Sequence, residues 1–204
     1  MLEHVLTADA ALRAWLTTHH VGWLDSVMLA FSAVGQAGTV WLLLGMVATI
    51  ARRVRGGRLW QLALAILLAY VAVDLLLKPT IARSRPFDSL VDVRVVGDWR
   101  PVTFAFPSGH ACSAFAGAWV LTLMWPRVHV LVWLLACLIA GSRVYIGVHY
   151  PLDVLGGALL GLAVGAVVTG GRACYSEGSV PTLPRRRDPE SHTDSPAAQT
   201  DVPR

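Results

Sequence analysis

Apolar residues run almost unbroken over 59–77, 109–125, 128–148 and 152–170, and a helix crosses a bilayer with about 20 such residues. Each run therefore predicts a transmembrane helix. A fifth run, 39–51, is shorter and reaches spanning length only by beginning near Gly35 or earlier. Ahead of it, Leu2, Val5, Leu6, Leu12, Trp15 and Leu16 recur at near-helical spacing with Glu3, Asp9 and Arg13 between them, a pattern that suits a helix lying in the membrane interface. The fold expected is all-α: a polytopic transmembrane bundle of five spans plus an N-terminal interfacial helix. The alternative is six spans, the extra one over about 15–34, which would bury His19, His20 and Asp25 at a cost. Beyond Gly170 the chain turns to Ser, Pro, Arg, Asp and Thr, too few apolar groups to offset the entropy of ordering. Three regions follow: an amphipathic segment 1–36, a membrane domain 37–171 and a disordered tail 172–204.

Composition agrees with a membrane chain: 55% of the residues are hydrophobic and only 15% charged, outside the usual soluble range. Its 204 residues suffice for one bundle and leave no room for a second sizeable domain. The formal charge of +4 comes from arginines clustered in short turns and the tail, which excludes a nucleic-acid-binding face and speaks for membrane orientation. Arg52, Arg53, Arg55 and Arg58 share one turn, Arg127 marks another, and Arg172 with Arg185, Arg186 and Arg187 follows the last span. These places are expected on the cytoplasmic side, C-terminus included. The 78–110 connection and the 148–152 turn then lie on the extracytoplasmic side, and the first 36 residues, with one Arg and no Lys, favour an outside N-terminus. The N-terminus lacks the basic region and cleavage site of a signal peptide. Cys112, Cys137 and Cys174 have neither an even count nor metal-type spacing; the first two read as small apolar helix residues.

The polar residues that remain are concentrated at span ends. Lys78-x6-Arg85-Pro86, Pro107-Ser108-Gly109-His110 and Ser142-Arg143-x5-His149-x3-Asp153 bring three cations, two imidazoles and a carboxylate to the side that the arginine count makes extracytoplasmic. Such groups are costly beside hydrocarbon unless they face each other or a wet cavity. Ser108 is a natural N-cap and Gly109 permits close backbone approach, so the start of that span can offer free N–H groups to an anion. Pro151 suits the first turn of the last span and puts Asp153 in reach of His149. A carboxylate behind an imidazole sets its tautomer and supports the charge that grows when the other nitrogen attacks. His149 is thus the expected nucleophile and His110 the proton donor and acceptor. Lys78, Arg85 and Arg143 supply fixed positive charge around a phosphate. Asp74, four residues before Lys78, is expected to hold that lysine as an ion pair.

In order and spacing, the three motifs resemble those of the type 2 phosphatidic acid phosphatase family, membrane lipid phosphatases related to bacterial acid phosphatases and vanadium haloperoxidases. The resemblance runs from about Lys78 to Asp153. It implies a metal-independent phosphatase working through a phosphohistidine without a cofactor. His149 would be the nucleophile, Asp153 its orienting partner and His110 the acid and base. Lys78, Arg85, Ser108, Gly109 and Arg143 would bind phosphate. Many bacterial relatives of the family begin with a further full span, which is expected here to be absent or replaced by the interfacial segment.

Blander assignments compete. A zinc site of His110, His149 and Asp153 is chemically conceivable, but three adjacent cations oppose a divalent ion. A lipid-phosphate or anion transporter, or an inactive lipid-phosphate-binding relative, would use the same charges without chemistry. His4, His19, His20, His129 and His192 lack a constellation and read as interface or loop residues. Trp60, Trp99 and Trp125 fall near span ends, where amphipathic rings collect. Gly156, Gly157, Gly161 and Gly165 suit close packing of the last span. The expected partners are membrane lipids and a lipid mono- or diphosphate substrate: phosphatidate, phosphatidylglycerol phosphate or a polyprenyl diphosphate.

Overall fold

The computed structural model describes residues 1–52, 57–89 and 93–171, and its regular elements are helical throughout. In chain order these are α1 (Leu2–Thr18), α2 (Gly22–Val34), α3 (Thr39–Arg52), α4 (Gly57–Tyr70), α5 (Lys78–Ile81), α6 (Pro86–Ser89), α7 (Gly109–Met124), α8 (His129–Tyr145) and α9 (Pro151–Val168). A π-helical stretch, Val71–Leu77, joins α4 to α5 without a break. The expected tail, 172–204, lies outside the described residues, as do Arg53 and Arg55.

Three helical stretches are long and apolar enough to cross a membrane: Gly57–Ser89, Pro126–Tyr145 and Pro151–Val168. Gly22–Val34 and Gln36–Ala51 make a fourth if their 48° bend is one broken span, and Gly109–Met124 is a shorter apolar helix. The chain is therefore a multi-pass, all-α membrane bundle. No continuous helix covers 15–34, because α1 ends at Thr18 and α2 begins at Gly22.

α7 forms the axis, with eleven of its sixteen residues buried. Small side chains on α7, among them Ala111, Ala114 and Ala118, let α4, α8 and α9 approach it closely. α9 meets it through Gly157, Gly161 and Gly165; a Cβ at Gly161 would stand only 3.0 Å from the Ala116 nitrogen. Backbone contact of this kind substitutes for the hydrophobic drive that lipid cannot supply. Large apolar residues such as Leu43, Ile50, Leu131 and Leu159 are exposed on the perimeter, where a bilayer would solvate them. Cys112 is buried in α7 and Cys137 is exposed on α8.

Two local findings differ from simple pattern reading. In α1 the apolar Val5, Leu6, Leu12 and Trp15 are exposed, whereas Asp9 and Arg13 are buried. The polar stripe of this amphipathic helix turns into the protein, where α1 packs on α8 and α9. His20, read as an interface or loop residue, lies in the loop between α1 and α2 and is in addition tied in a cluster. Its Nδ1 lies 3.0 Å from Asp25 Oδ1, and the Tyr145 hydroxyl donates to the same oxygen at 2.8 Å. This fastens the start of α2 to the end of α8.

Candidate active site

Local chain chemistry brings the three polar segments together. Ser108 has extended backbone and caps α7, its Oγ accepting the Ala111 N–H at 3.5 Å. Its own N–H donates to the Asp153 carbonyl at 2.9 Å, which ties the start of α7 to the start of α9. At that start Pro151 needs no donor, and Asp153 Oδ2 accepts the Tyr150 N–H at 2.8 Å. Between α8 and α9 the N–H groups of Val148 and His149 both donate to the Arg143 carbonyl, at 3.3 and 3.2 Å. The chain so doubles back and sets His149 beside Arg143.

A cavity of about 630 Å³ opens at this junction. Lys78, Arg85, Gly109, His110, Arg143 and His149 line one flank, and Leu42, Ile66, Leu67 and Tyr70 of α3 and α4 line the other. A second cavity of about 230 Å³ meets the first at His110 and Arg143 and continues past Ser32, Gln36 and Asp98. Six of the eight site residues expected from the sequence thus share one wall. Ser108 and Asp153 are fully buried, behind that wall.

Each cation is held by named partners. Lys78 Nζ donates to Asp74 Oδ1 at 2.6 Å and to Thr103 Oγ1 at 3.3 Å, so the expected Asp74 pair is present. Arg85 is the most tightly placed. It donates to the carbonyls of Thr103 at 2.5 Å, Val148 at 2.9 Å and Phe104 at 3.3 Å. Arg143 donates to the Ser32 hydroxyl, and its guanidinium stands 5.7 Å from the centre of the Trp99 ring. Trp99 therefore lines the site as well as sitting near a span end.

Arg85 also lies 3.3 Å from His149 Nε2. A guanidinium has donors only, so Nε2 accepts and the ring proton sits on Nδ1. Nδ1 is 3.4 Å from Asp153 Oδ2, outside hydrogen-bond geometry. Burial, and then the charges of Arg85, Arg143 and Lys78, hold the imidazole well below its ordinary pKa. A neutral ring with an unprotonated nitrogen beside three cations has a free lone pair in a setting that attracts anions. Among the described residues no group of three or more His, Cys, Asp or Glu side chains is arranged to hold a metal ion.

Sequence reasoning missed two members of the arrangement. Arg83 donates to Asp153 Oδ1 at 2.5 Å and to Asp9 Oδ2 at 2.7 Å. Neither had a motif to mark it; the available signals were an arginine two residues before Arg85 and a carboxylate within an otherwise apolar N-terminal helix.

Residues 58–172 match the model of the PAP2 superfamily. Among curated relatives, the undecaprenyl-diphosphatase of Sulfolobus acidocaldarius is 31% identical over 150 residues, covering 70% of this chain and 68% of that protein. The decaprenylphosphoryl-5-phosphoribose phosphatase of Mycobacterium tuberculosis is 37% identical over 152 residues, 74% of this chain and 71% of the relative. Among solved structures, the PAP2-type phosphatidylglycerolphosphate phosphatase of Bacillus subtilis superposes with a TM-score of 0.63 at 28% identity, covering 82% of this chain and 85% of its own. LpxE of Aquifex aeolicus gives a TM-score of 0.67 at 30% identity, covering 78% and 93%.

Proposed function

The chain belongs to the PAP2 superfamily, and from that premise we propose that it is an integral membrane phosphatase that hydrolyses a lipid phosphate or diphosphate through a phosphohistidine. The observation that carries this is the single cavity shared by Lys78, Arg85, His110, Arg143 and His149, with the Nε2 of His149 unprotonated beside Arg85. Nε2 attacks phosphorus while the bond from phosphorus to the leaving oxygen breaks, and His110 gives that oxygen a proton. A water then attacks the phosphohistidine as His110 takes back a proton, and inorganic phosphate departs from a regenerated imidazole. Lys78, Arg85 and Arg143, with the N–H of Gly109 at the start of α7, balance the charge on the equatorial oxygens. Asp153 supports the imidazolium. No step calls for a metal, and a pocket of three cations disfavours one.

The second flank supports a lipid substrate. Leu42, Ile66, Leu67 and Tyr70 continue the phosphate site as an apolar wall, suited to a lipid chain and of no use to a soluble ester. The relatives are named for a prenyl diphosphate and a prenylphosphoryl-phosphoribose. Phosphatidate, phosphatidylglycerol phosphate and polyprenyl diphosphates are the candidates. The arginine distribution supports five spans across 37–171, an outward-facing site, an interfacial segment over 1–36 and a cytoplasmic tail from 172.

The test is phosphate release by purified protein in detergent micelles across those three lipids, with a soluble phosphomonoester as control and without added metal. The expected result is vanadate-sensitive release from a lipid, lost in His149→Ala while the protein stays folded. Release retained in that variant sinks the nucleophile, and a preference for the soluble ester sinks the lipid assignment. A transporter would bind the same lipids and leave phosphate esterified.

A further inference from the structure

Asp153 is completely buried, and a carboxylate cut off from water must be neutralised by a nearby cation and by hydrogen bonds. The imidazole of His149 is not that cation: it is neutral, and its Nδ1 lies 3.4 Å away outside hydrogen-bond geometry. Arg83 fills the role through its 2.5 Å contact to Oδ1. The other edge of the same guanidinium donates to Asp9 Oδ2 at 2.7 Å. Asp9 Oδ1 in turn accepts the Leu152 N–H at 2.8 Å, in the first turn of α9 and next to Asp153. The ring of Tyr150 stacks on the guanidinium at 4.1 Å, and the Arg83 carbonyl accepts the Ala105 N–H at 2.8 Å. Asp9 is only 4% exposed, although it stands on a helix whose apolar residues face outward.

We infer that Arg83 and Asp9 are positioning residues for phosphoryl transfer, and that α1 is through them a working part of the active site. This rests on the phosphatase reading above. Within the Asp153–Arg83–Asp9 group, two carboxylates against one guanidinium leave a surplus negative charge behind a neutral imidazole, with Arg85 on the pocket side of the ring. When Nε2 bonds to phosphorus the ring becomes cationic, and that surplus charge is what meets it. Arg83 holds Asp153 at the distance where the surplus acts on Nδ1, and Asp9 sets the register of Arg83 against the start of α9. Neither residue touches the cavity wall, so substrate binding does not depend on them directly.

The experiment uses the full chain in detergent with a radiolabelled lipid phosphate, comparing wild type, Asp9→Asn, Arg83→Lys, the double variant and His149→Ala. Asparagine keeps the shape of Asp9 and removes the charge, and lysine keeps the charge of Arg83 but cannot fork between two carboxylates. The expected loss in kcat for each single variant is about 10- to 100-fold, by analogy with outer partners that orient a metal-bound histidine. KM stays within about twofold of wild type, and rapid-quench trapping shows the phosphoenzyme forming more slowly. The double variant loses no more than the worse single one, because the two side chains act through one network. Wild-type kcat in both single variants overturns the inference, as does a loss confined to KM or additive losses in the double variant. A wild-type protein that releases no phosphate, or an active His149→Ala, would instead refute the phosphatase reading itself.

Discussion

Replacing Arg85 by lysine keeps a positive charge at the site and removes the fork that carries it. Arg85 is 2% exposed and joins two walls of the pocket, Thr103 and Phe104 on one side and Val148 with His149 on the other. A lysine ammonium is a point charge on a flexible stem and reaches one wall at a time. The N–H groups of Arg85 are taken up by the pocket walls, so it acts as a fixed charge; displacing such a preorganised charge from a developing oxyanion should cost about as much as losing one oxyanion donor, about 100- to 1000-fold in kcat, roughly 2.7–4 kcal/mol. The carbonyls of Val148 and Phe104 also lose their donor, at about 1–3 kcal/mol each where no water replaces it. The assay is steady-state phosphate release from a micellar lipid phosphate, run beside thermal unfolding followed by size-exclusion elution. Arg85→Lys should remain folded with a lowered Tm, bind substrate with a modest change in KM, and lose at least two orders of magnitude in kcat. Turnover within about threefold of wild type would mean that charge alone suffices, and that the geometry at Arg85 is not what positions the phosphate.

Asp74→Ala strips a buried lysine of its 2.6 Å partner; since Asp74 itself keeps about a quarter of its exposure, we expect a loss nearer 1–3 kcal/mol than the 3–5 of a fully buried pair, read as a lower Tm with a raised KM. Gly161→Leu drives a side chain into the α7 backbone, and overpacking of roughly 1–3 kcal/mol or more should lower Tm without a specific effect on KM. His149 is held neutral in the fold, so below the unfolded-state value of about 6.5 only the unfolded chain takes up its proton, and stability falls by up to about 1.4 kcal/mol per pH unit. The acid-side drop in Tm should be shallower in His149→Gln; an identical pH dependence would contradict a buried neutral imidazole.

Residues of the candidate site differ in how visible they were. Lys78, Arg85, His110, Arg143 and His149 stand out in the sequence because charge at the edge of an apolar run is expensive and needs a reason. Asp74 followed from its spacing to Lys78, since neighbours four apart on a helix meet whatever the tertiary fold. Arg83 and Asp9 did not show: their contact spans 74 residues of chain, and no local spacing rule reaches that far. Asp9 even pointed the other way, because an amphipathic helix has two faces and periodicity alone does not say which one meets protein. The contacts of Trp99 and His20 were hidden for the same reason, each being ordinary at a span end or in a loop until a cation or a carboxylate is folded against it.

Hydropathy and spacing by themselves determined that this chain is helical, membrane-embedded and gathers its cations and imidazoles at span ends, because burying charge and leaving backbone groups unpaired in hydrocarbon are penalties that any arrangement of the helices must meet. Only the tertiary structure decided that Arg85 bridges the two walls of the pocket, that Arg83 and not the imidazole neutralises Asp153, and that α1 supplies Asp9 to them. Those outcomes depend on which helix faces meet and at what distance, and electrostatic strength inside a low-dielectric site is set by that distance rather than by residue type.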